Sequence, residues 1–277
     1  FYNRSQIFRY MQLFFREKGN PEKPPLVILH GLWGASDNWL PVANRLTEDF
    51  HIFLPDFRNH GSSPHADRHD YKILCEDIST FIENLRLPHP PFIAGHSMGG
   101  RVLMQLLLEK PETAAGTAII DICPESHSAS NAIHQDLLNF ILSFPLTDFK
   151  ERKALTIAVT QAFPRPEEQQ LLLKNIQRSG ESFRWKINPQ ALKENLSGLL
   201  HPAFPANIRP YLSPLLFIRG GKSDYVPAML GKETLRLFPA AQLVTLPEAS
   251  HRLHAEQPDA LARTLHDFFS QFFIPLR

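Results

Sequence analysis

Cysteine is scarce in this chain, opposite charges nearly cancel, and long apolar runs are missing. Two cysteines in 277 residues are too few for a disulfide framework. Cys75 lies on the apolar face of a helical pattern and Cys123 follows a buried-looking strand, so both read as reduced core residues. Lys and Arg total 29 against 28 Asp and Glu, and no basic run marks one face. A nucleic-acid or polybasic membrane role therefore has no support, and a small neutral partner is expected. No apolar run reaches the roughly 18 residues of a membrane span. The N-terminal stretch FYNRSQIFRYMQLFFREKG lacks a signal-peptide pattern with a small-residue cleavage site. A soluble, cytoplasmic protein is the expectation, with the residues ahead of a strand starting at Met11 read as an upstream extension. Internal repeats and low-complexity tracts are also absent.

What is present is a rhythm. Short apolar runs recur at LVILHG, HIFLPD, PFIAGH, TAIIDI, PLLFIRGG and AQLVTLP, with helical patterns between most of them. That alternation predicts an α/β fold, a mainly parallel sheet with helices on both faces. The clearest helix is Tyr71 to Leu85, capped by Asp70, with apolar residues at i, i+3, i+4 and i+7. The last runs from Asp259 to Phe272. Between about Ser126 and Ser213 the rhythm breaks: HQDLLNFILSF and EEQQLLLKNIQ follow each other without a buried strand. SFRWKIN is too polar to join the central sheet. The expected organisation is one core of residues 1–125 and 213–277, carrying a helical cap of residues 126–212.

The chemistry concentrates in three places. PFIAGHSMGG is a strand ending in Gly95-His96-Ser97-Met98-Gly99, with a helical pattern opening at once behind it. Strand, turn and helix around G-x-S-x-G are the setting of a nucleophile elbow, against the blander reading of a glycine-rich turn with an idle serine. Glycines are needed two residues before and after Ser97 because a strained turn brings those positions together. A serine hydroxyl needs a base, and the base needs an orienting acid. His251 follows the last apolar strand and is the candidate base; His254 reads as a supporting residue and His96 as packing. LVILHGLWG ends a strand beside the elbow, so the backbone N–H groups of Leu32 and Met98 are the candidate oxyanion donors. Trp33 would line the pocket beside them, and the apolar face of HQDLLNFILSF, with Leu138, would form its acyl side. Two carboxylates compete for the acid: Asp121 in AIIDICP and Asp224 in RGGKSDYVPA. His60, His65 and His69, with Asp67 and Asp70, have ligand-like spacing, but the segment reads as a solvated loop, and no metal is expected. Asp56 and Arg58 read as residues that hold that loop by hydrogen bonds.

HGLWGASDNW, LPDFRNHGSSPH, GHSMGG, IIDICP, IRGGKSDYVP and the His251 loop, in this order and spacing, resemble the alpha/beta-hydrolase superfamily. The resemblance is greatest to its small branch of bacterial esterases and mitochondrial abhydrolase-domain proteins. It implies the alpha/beta-hydrolase fold and hydrolysis of a small-molecule acyl ester or thioester, without metal or organic cofactor. It also decides between the acids. The wider superfamily carries its acid four residues before the proline of a Val-Pro pair, which here is Ser223, with Asp224 one place late. The branch with a D-I-x-P motif supplies the acid there, and that residue is Asp121. Ser223 would then assist the imidazole by a hydrogen bond. Where relatives usually carry Gly before the histidine and Trp after it, this chain has Ser250 and Arg252. Two rivals share these residues: a carbon–carbon bond hydrolase or lyase on the same triad, and a low-turnover ligand receptor.

Overall fold

The six apolar runs become the parallel strands of one seven-stranded sheet. The computed structural model describes residues 11–125, 131–163, 165–200, 204–205 and 207–273. The first ten residues and the expected cap boundary at Ser126 lie outside the described residues. The strands are β1 (Phe15–Lys18), β2 (Pro25–Leu29), β3 (His51–Pro55), β4 (Phe92–His96), β5 (Gly116–Ile120), β8 (Leu215–Gly220) and β9 (Ala241–Leu246), with β6 (Ile176–Ser179) and β7 (Ser182–Trp185) apart from them. The order in the main sheet is β1-β3-β2-β4-β5-β8-β9, and among the described residues only β1 runs antiparallel in it, against β3. The helices are α1 (Leu40–Ala43), α2 (Tyr71–Leu85), α3 (Met98–Glu109), α4 (Asn131–Ser143), α5 (Arg152–Ala162), α6 (Pro166–Lys174), α7 (Pro189–Leu200), α8 (Lys232–Leu237), α9 (Leu253–Glu256) and α10 (Pro258–Phe269).

Strand pleating divides the core in two. Leu26 and Ile28 of β2 point to one face, where they join Trp39, Leu46, Leu261, Leu265 and Phe269. Val27 and Leu29 point to the other, with Leu74, Ile78, Val102 and Leu106 of α2 and α3. Each fully buried aliphatic or aromatic side chain contributes about 1.5–3 kcal/mol, so both faces must be covered for the sheet to persist. Helix α2 matches its sequence pattern: Asp70 accepts a hydrogen bond from the Ile73 N–H at 3.0 Å, and Leu74, Cys75, Ile78 and Phe81 are buried. Neither cysteine forms a disulfide among the described residues, and both are buried. No helix among the described residues is long and apolar enough to cross a membrane.

Between β5 and β8 the chain leaves the sheet. Helices α4 to α7 and the antiparallel β6–β7 pair fill this segment. Their apolar residues, among them Leu137, Leu155, Leu172, Phe183 and Leu192, join the same cluster as α2 and α3. The EEQQLLLKNIQ run is not one helix: α6 stops at Lys174, and Ile176 and Gln177 belong to β6. Gly180, at φ 60°, turns the chain into β7, a positive φ that suits a two-residue hairpin loop.

Candidate active site

The elbow is built by crowding. A Cβ on Gly95 would lie 2.5 Å from the Gly99 carbonyl oxygen, and one on Gly99 would lie 2.6 Å from that of His30. Only glycine lets β4 turn into α3 here, and the turn forces Ser97 to φ 51° and ψ −117°. Such a conformation costs on the order of 1–3 kcal/mol and persists where the surroundings over-determine it. Trp33 (φ 66°) and Asp121 (φ 49°) are also left-handed. Three strained non-glycine residues thus meet at the same edge of the sheet.

Ser97, His251 and Asp121 are brought into line. The Ser97 hydroxyl lies 3.1 Å from His251 Nε2, and His251 Nδ1 lies 2.8 Å from Asp121 Oδ2. The carboxylate can only accept, so Nδ1 carries the proton and Nε2 faces the serine as acceptor. Asp121 is fully buried and two further donors reach it: Oδ1 accepts from the Gly220 N–H at 2.8 Å, and Oδ2 accepts from the Ser223 hydroxyl. Ser223 therefore bonds the carboxylate, not the imidazole as the sequence suggested, because the loop after β8 lays its hydroxyl beside the end of β5. Asp224 is exposed at the pocket rim, and it is the Asp121 carboxylate that meets the imidazole. Tyr225 stacks on His251 with ring centroids 3.8 Å apart and 15° between planes.

Beside Ser97, a tight turn closes from the Gly34 N–H to the Gly31 carbonyl at 3.0 Å. Leu32 and Trp33 are its central residues, and the turn leaves the Leu32 N–H unused. Met98 is the first residue of α3, so its N–H is among the donors a helix leaves without an internal acceptor. The Trp33 N–H donates to His60 Nε2 at 3.3 Å, and the Phe57 N–H donates to His30 Nε2 at 3.0 Å. His30 and His60 give their Nδ1 protons to the carbonyls of Gly31 and Arg58, so both act as neutral imidazoles. Burial holds them in that state: it lowers the affinity of His30 for a second proton and lowers that of His60 well below the ordinary value.

The histidine-rich segment is only partly the solvated loop its polarity suggests: Ser62, Pro64, His65, Asp67 and Arg68 are exposed. Asp56 to Gly61, Ser63 and His69 are buried, with Asp56, Arg58, His60 and Ser63 hydrogen-bonded inside the fold, whereas His69 Nε2 has no partner among the described residues. Asp56 accepts from the N–H groups of Ser36 (2.6 Å) and Ser62 (2.8 Å). Arg58 grips Asp77 with two hydrogen bonds of 2.6 and 2.8 Å. Among the described residues no group of three or more His, Cys, Asp or Glu could hold a metal ion. His96 does more than pack: its ring nitrogen donates to the His251 carbonyl at 2.8 Å. His254 stacks on Trp39 at 4.9 Å, and burial drives its pKa down to about 3.

These groups open onto a cavity of ≈ 590 Å³, within the roughly 300–1,000 Å³ of small-molecule sites. Ser97, Leu32, Met98, His251 and Trp33 line it, and α4 contributes Ile133, His134 and Leu137. Leu138 does not line it; it is fully buried in the core cluster, one helical position and about 100° away from Leu137. Sequence reasoning also missed Tyr225, His134 and Asn175. The Trp33 indole N–H donates to His134 Nδ1 at 3.0 Å. Asn175 Nδ2 donates to the Trp33 carbonyl at 2.8 Å. These are contacts between distant segments, and no local pattern announces them.

A strand–turn–helix serine beside a histidine–carboxylate pair on a mainly parallel sheet defines a serine hydrolase architecture. A model of the alpha/beta hydrolase family matches residues 26–264. The chain is 31% identical over 265 residues to the sn-1-specific diacylglycerol lipase ABHD11 of Mus musculus, an alignment covering 91% of this chain and 83% of that protein. It is 30% identical over 246 residues to esterase YbfF of Escherichia coli, covering 89% and 93%. The solved structure of a marine microorganism esterase superposes with a TM-score of 0.85 at 34% identity, covering 93% of this chain and 99% of that one. The chain belongs to the alpha/beta hydrolase family, and it is a hydrolase.

Proposed function

We propose that this enzyme hydrolyses carboxylic esters through an acyl-enzyme on Ser97, with acyl thioesters as a second substrate class. The observation that carries the reading is the continuous line from Ser97 Oγ through His251 to buried Asp121, with separations of 3.1 and 2.8 Å. His251 Nε2 accepts the Ser97 proton as Oγ attacks the acyl carbonyl, and Asp121 stabilises the imidazolium that forms. The carbonyl oxygen gains negative charge and is met by the N–H groups of Leu32 and Met98; removing one such donor typically costs ~10²–10³ in kcat. The imidazolium protonates the departing alcohol or thiol. Water, activated by the same histidine, then releases the acid and restores Ser97.

The esterase and lipase names of the relatives support an ester substrate. The segment from residue 126 to 212 serves in this reading as a helical cap whose α4 residues Ile133 and Leu137 meet the acyl chain. A carbon–carbon bond hydrolase would use the same triad, so the test combines turnover with product identity. Purified protein should convert an aryl acyl ester to acid and phenol in a 1:1 ratio, and Ser97→Ala should abolish this. Turnover confined to carbon–carbon cleavage of a β-diketone would defeat the ester reading.

A further inference from the structure

We infer that Asn175 is a positioning residue for the oxyanion hole, acting through the carbonyl of Trp33; the inference rests on the proposed Ser97 mechanism. The argument begins with the turn that presents the Leu32 N–H. Its one internal hydrogen bond, Gly34 to Gly31, does not by itself choose the left-handed conformation of Trp33, because a bulky residue disfavours a positive φ. Contacts from outside the turn must select it. One comes from below, where His60 Nε2 accepts the Trp33 N–H. Another comes from the segment between β5 and β8, where Asn175 Nδ2 donates to the Trp33 carbonyl at 2.8 Å. The peptide groups on both sides of Trp33 are thereby fixed; they adjoin the Gly31–Leu32 peptide, which carries the Leu32 N–H and whose carbonyl accepts from the Gly34 N–H and His30 Nδ1, so the Trp33 contacts hold the far half of the turn that presents this donor.

Asn175 is built for this role. It is 3% exposed and sits where α6 ends. Its Nδ2 also donates to the Leu171 carbonyl at 2.9 Å, and two carbonyl acceptors fix which end of the amide faces them. Its own carbonyl accepts from the Lys186 N–H at 2.7 Å, and its N–H closes the last turn of α6. The side chain is therefore a short arm on a backbone held from two directions. The indole of Trp33 is tied separately to His134 on α4. The roof of the pocket thus grips the residue beside the oxyanion donor at two points, and it influences the chemical step without touching substrate.

Asn175→Asp tests this with an isosteric change. A carboxylate oxygen in place of the Nδ2 donor faces two carbonyl oxygens, so the Trp33 peptide loses its partner and is repelled. The expected result is a roughly ten- to hundredfold fall in kcat on an aryl ester, a fraction of what a lost oxyanion donor costs, with KM within about threefold of wild type. The affinity for an aryl trifluoromethyl ketone, whose serine adduct places an oxyanion in the hole, should fall by the same factor as kcat/KM. The affinity for the corresponding amide, which binds without reacting, should not change. Asn175→Ala, which removes the donor without adding charge, should show the same pattern more weakly and covers the case in which the aspartate variant does not fold. Variants that fold with wild-type kcat, or that lose kcat while ketone affinity is unchanged, would overturn the inference. If wild-type turnover survives Ser97→Ala, the failure lies instead with the proposed mechanism.

Discussion

Replacing Asp121 with asparagine keeps the shape of the site and removes its charge. In the native structure the carboxylate accepts from His251 Nδ1, the Ser223 hydroxyl and the Gly220 N–H. An asparagine can keep its oxygen on the Gly220 N–H, but its NH₂ group then faces His251 Nδ1. The imidazole is driven to the other tautomer, with its proton on Nε2 pointing at Ser97, where a base is needed. The imidazolium formed during attack also loses its buried counter-charge. Together these effects cost on the order of 10⁴ in kcat, about 5.4 kcal/mol of transition-state stabilisation. Asp224 is exposed at the rim, so Asp224→Asn should lie within about threefold of wild type. Both variants are assayed on the same aryl ester after thermal melts have established that they fold. Collapse of activity in Asp224→Asn, with Asp121→Asn near wild type, would refute the reasoning.

Two further outcomes concern pH and the acyl pocket. Burial, followed by the nearby Arg58 charge, lowers the pKa of His69 from 6.5 to about 3. Between those values the unfolded chain binds a proton that the folded one refuses, so stability falls as pH drops below 6.5. From pH 7 to pH 5 this one group removes about 2 kcal/mol, and His69→Gln should shrink the pH dependence of urea denaturation by that amount; an unchanged dependence would contradict the burial argument. On α4, Leu137 lines the cavity whereas Leu138 does not. Leu137→Trp should therefore cut kcat/KM for long acyl chains at least tenfold while acetyl ester turnover stays within about threefold, as measured across a chain-length series; equal loss at all lengths would place the acyl chain elsewhere.

Much of the fold was legible because parallel strands buried on both faces leave continuous apolar runs, and each of the six became a strand. Strand β1 was less so: its sequence FREK has a single apolar residue, and its pairing with β3 starts at Phe15 rather than Met11. Ser97 and His251 stood out because local constraints surround them, glycines forced by crowding in one case and a strand-to-helix loop in the other. The competition between Asp121 and Asp224 could be posed from the residues and was decided for Asp121 by the D-I-x-P resemblance; the geometry agrees, since the end of β5 lies beside the histidine loop. The role of Ser223 was misread for the same reason: one loop rotation separates a bond to the imidazole from a bond to its carboxylate. The burial of His60 and His69 was invisible: His60 bonds through both ring nitrogens to backbone groups of distant and neighbouring residues, His69 is covered by the packed fold, and neither fact leaves a mark in the local sequence. Leu138 was named although Leu137 is the residue that borders the cavity, because periodicity identifies an apolar face without saying which of its residues faces a pocket. Asn175 and Tyr225 gave no local signal, because their contacts exist only once distant segments have met.

The central claim, that Ser97 is the nucleophile, is tested most directly by covalent trapping. Protein incubated with a fluorophosphonate, digested and read by mass spectrometry should carry one phosphonyl group, on the peptide containing Gly95 to Gly99 and at Ser97. Loss of labelling should parallel loss of ester turnover, and Ser97→Ala should show neither. Labelling at another residue, or ester turnover that persists in Ser97→Ala, would contradict the account.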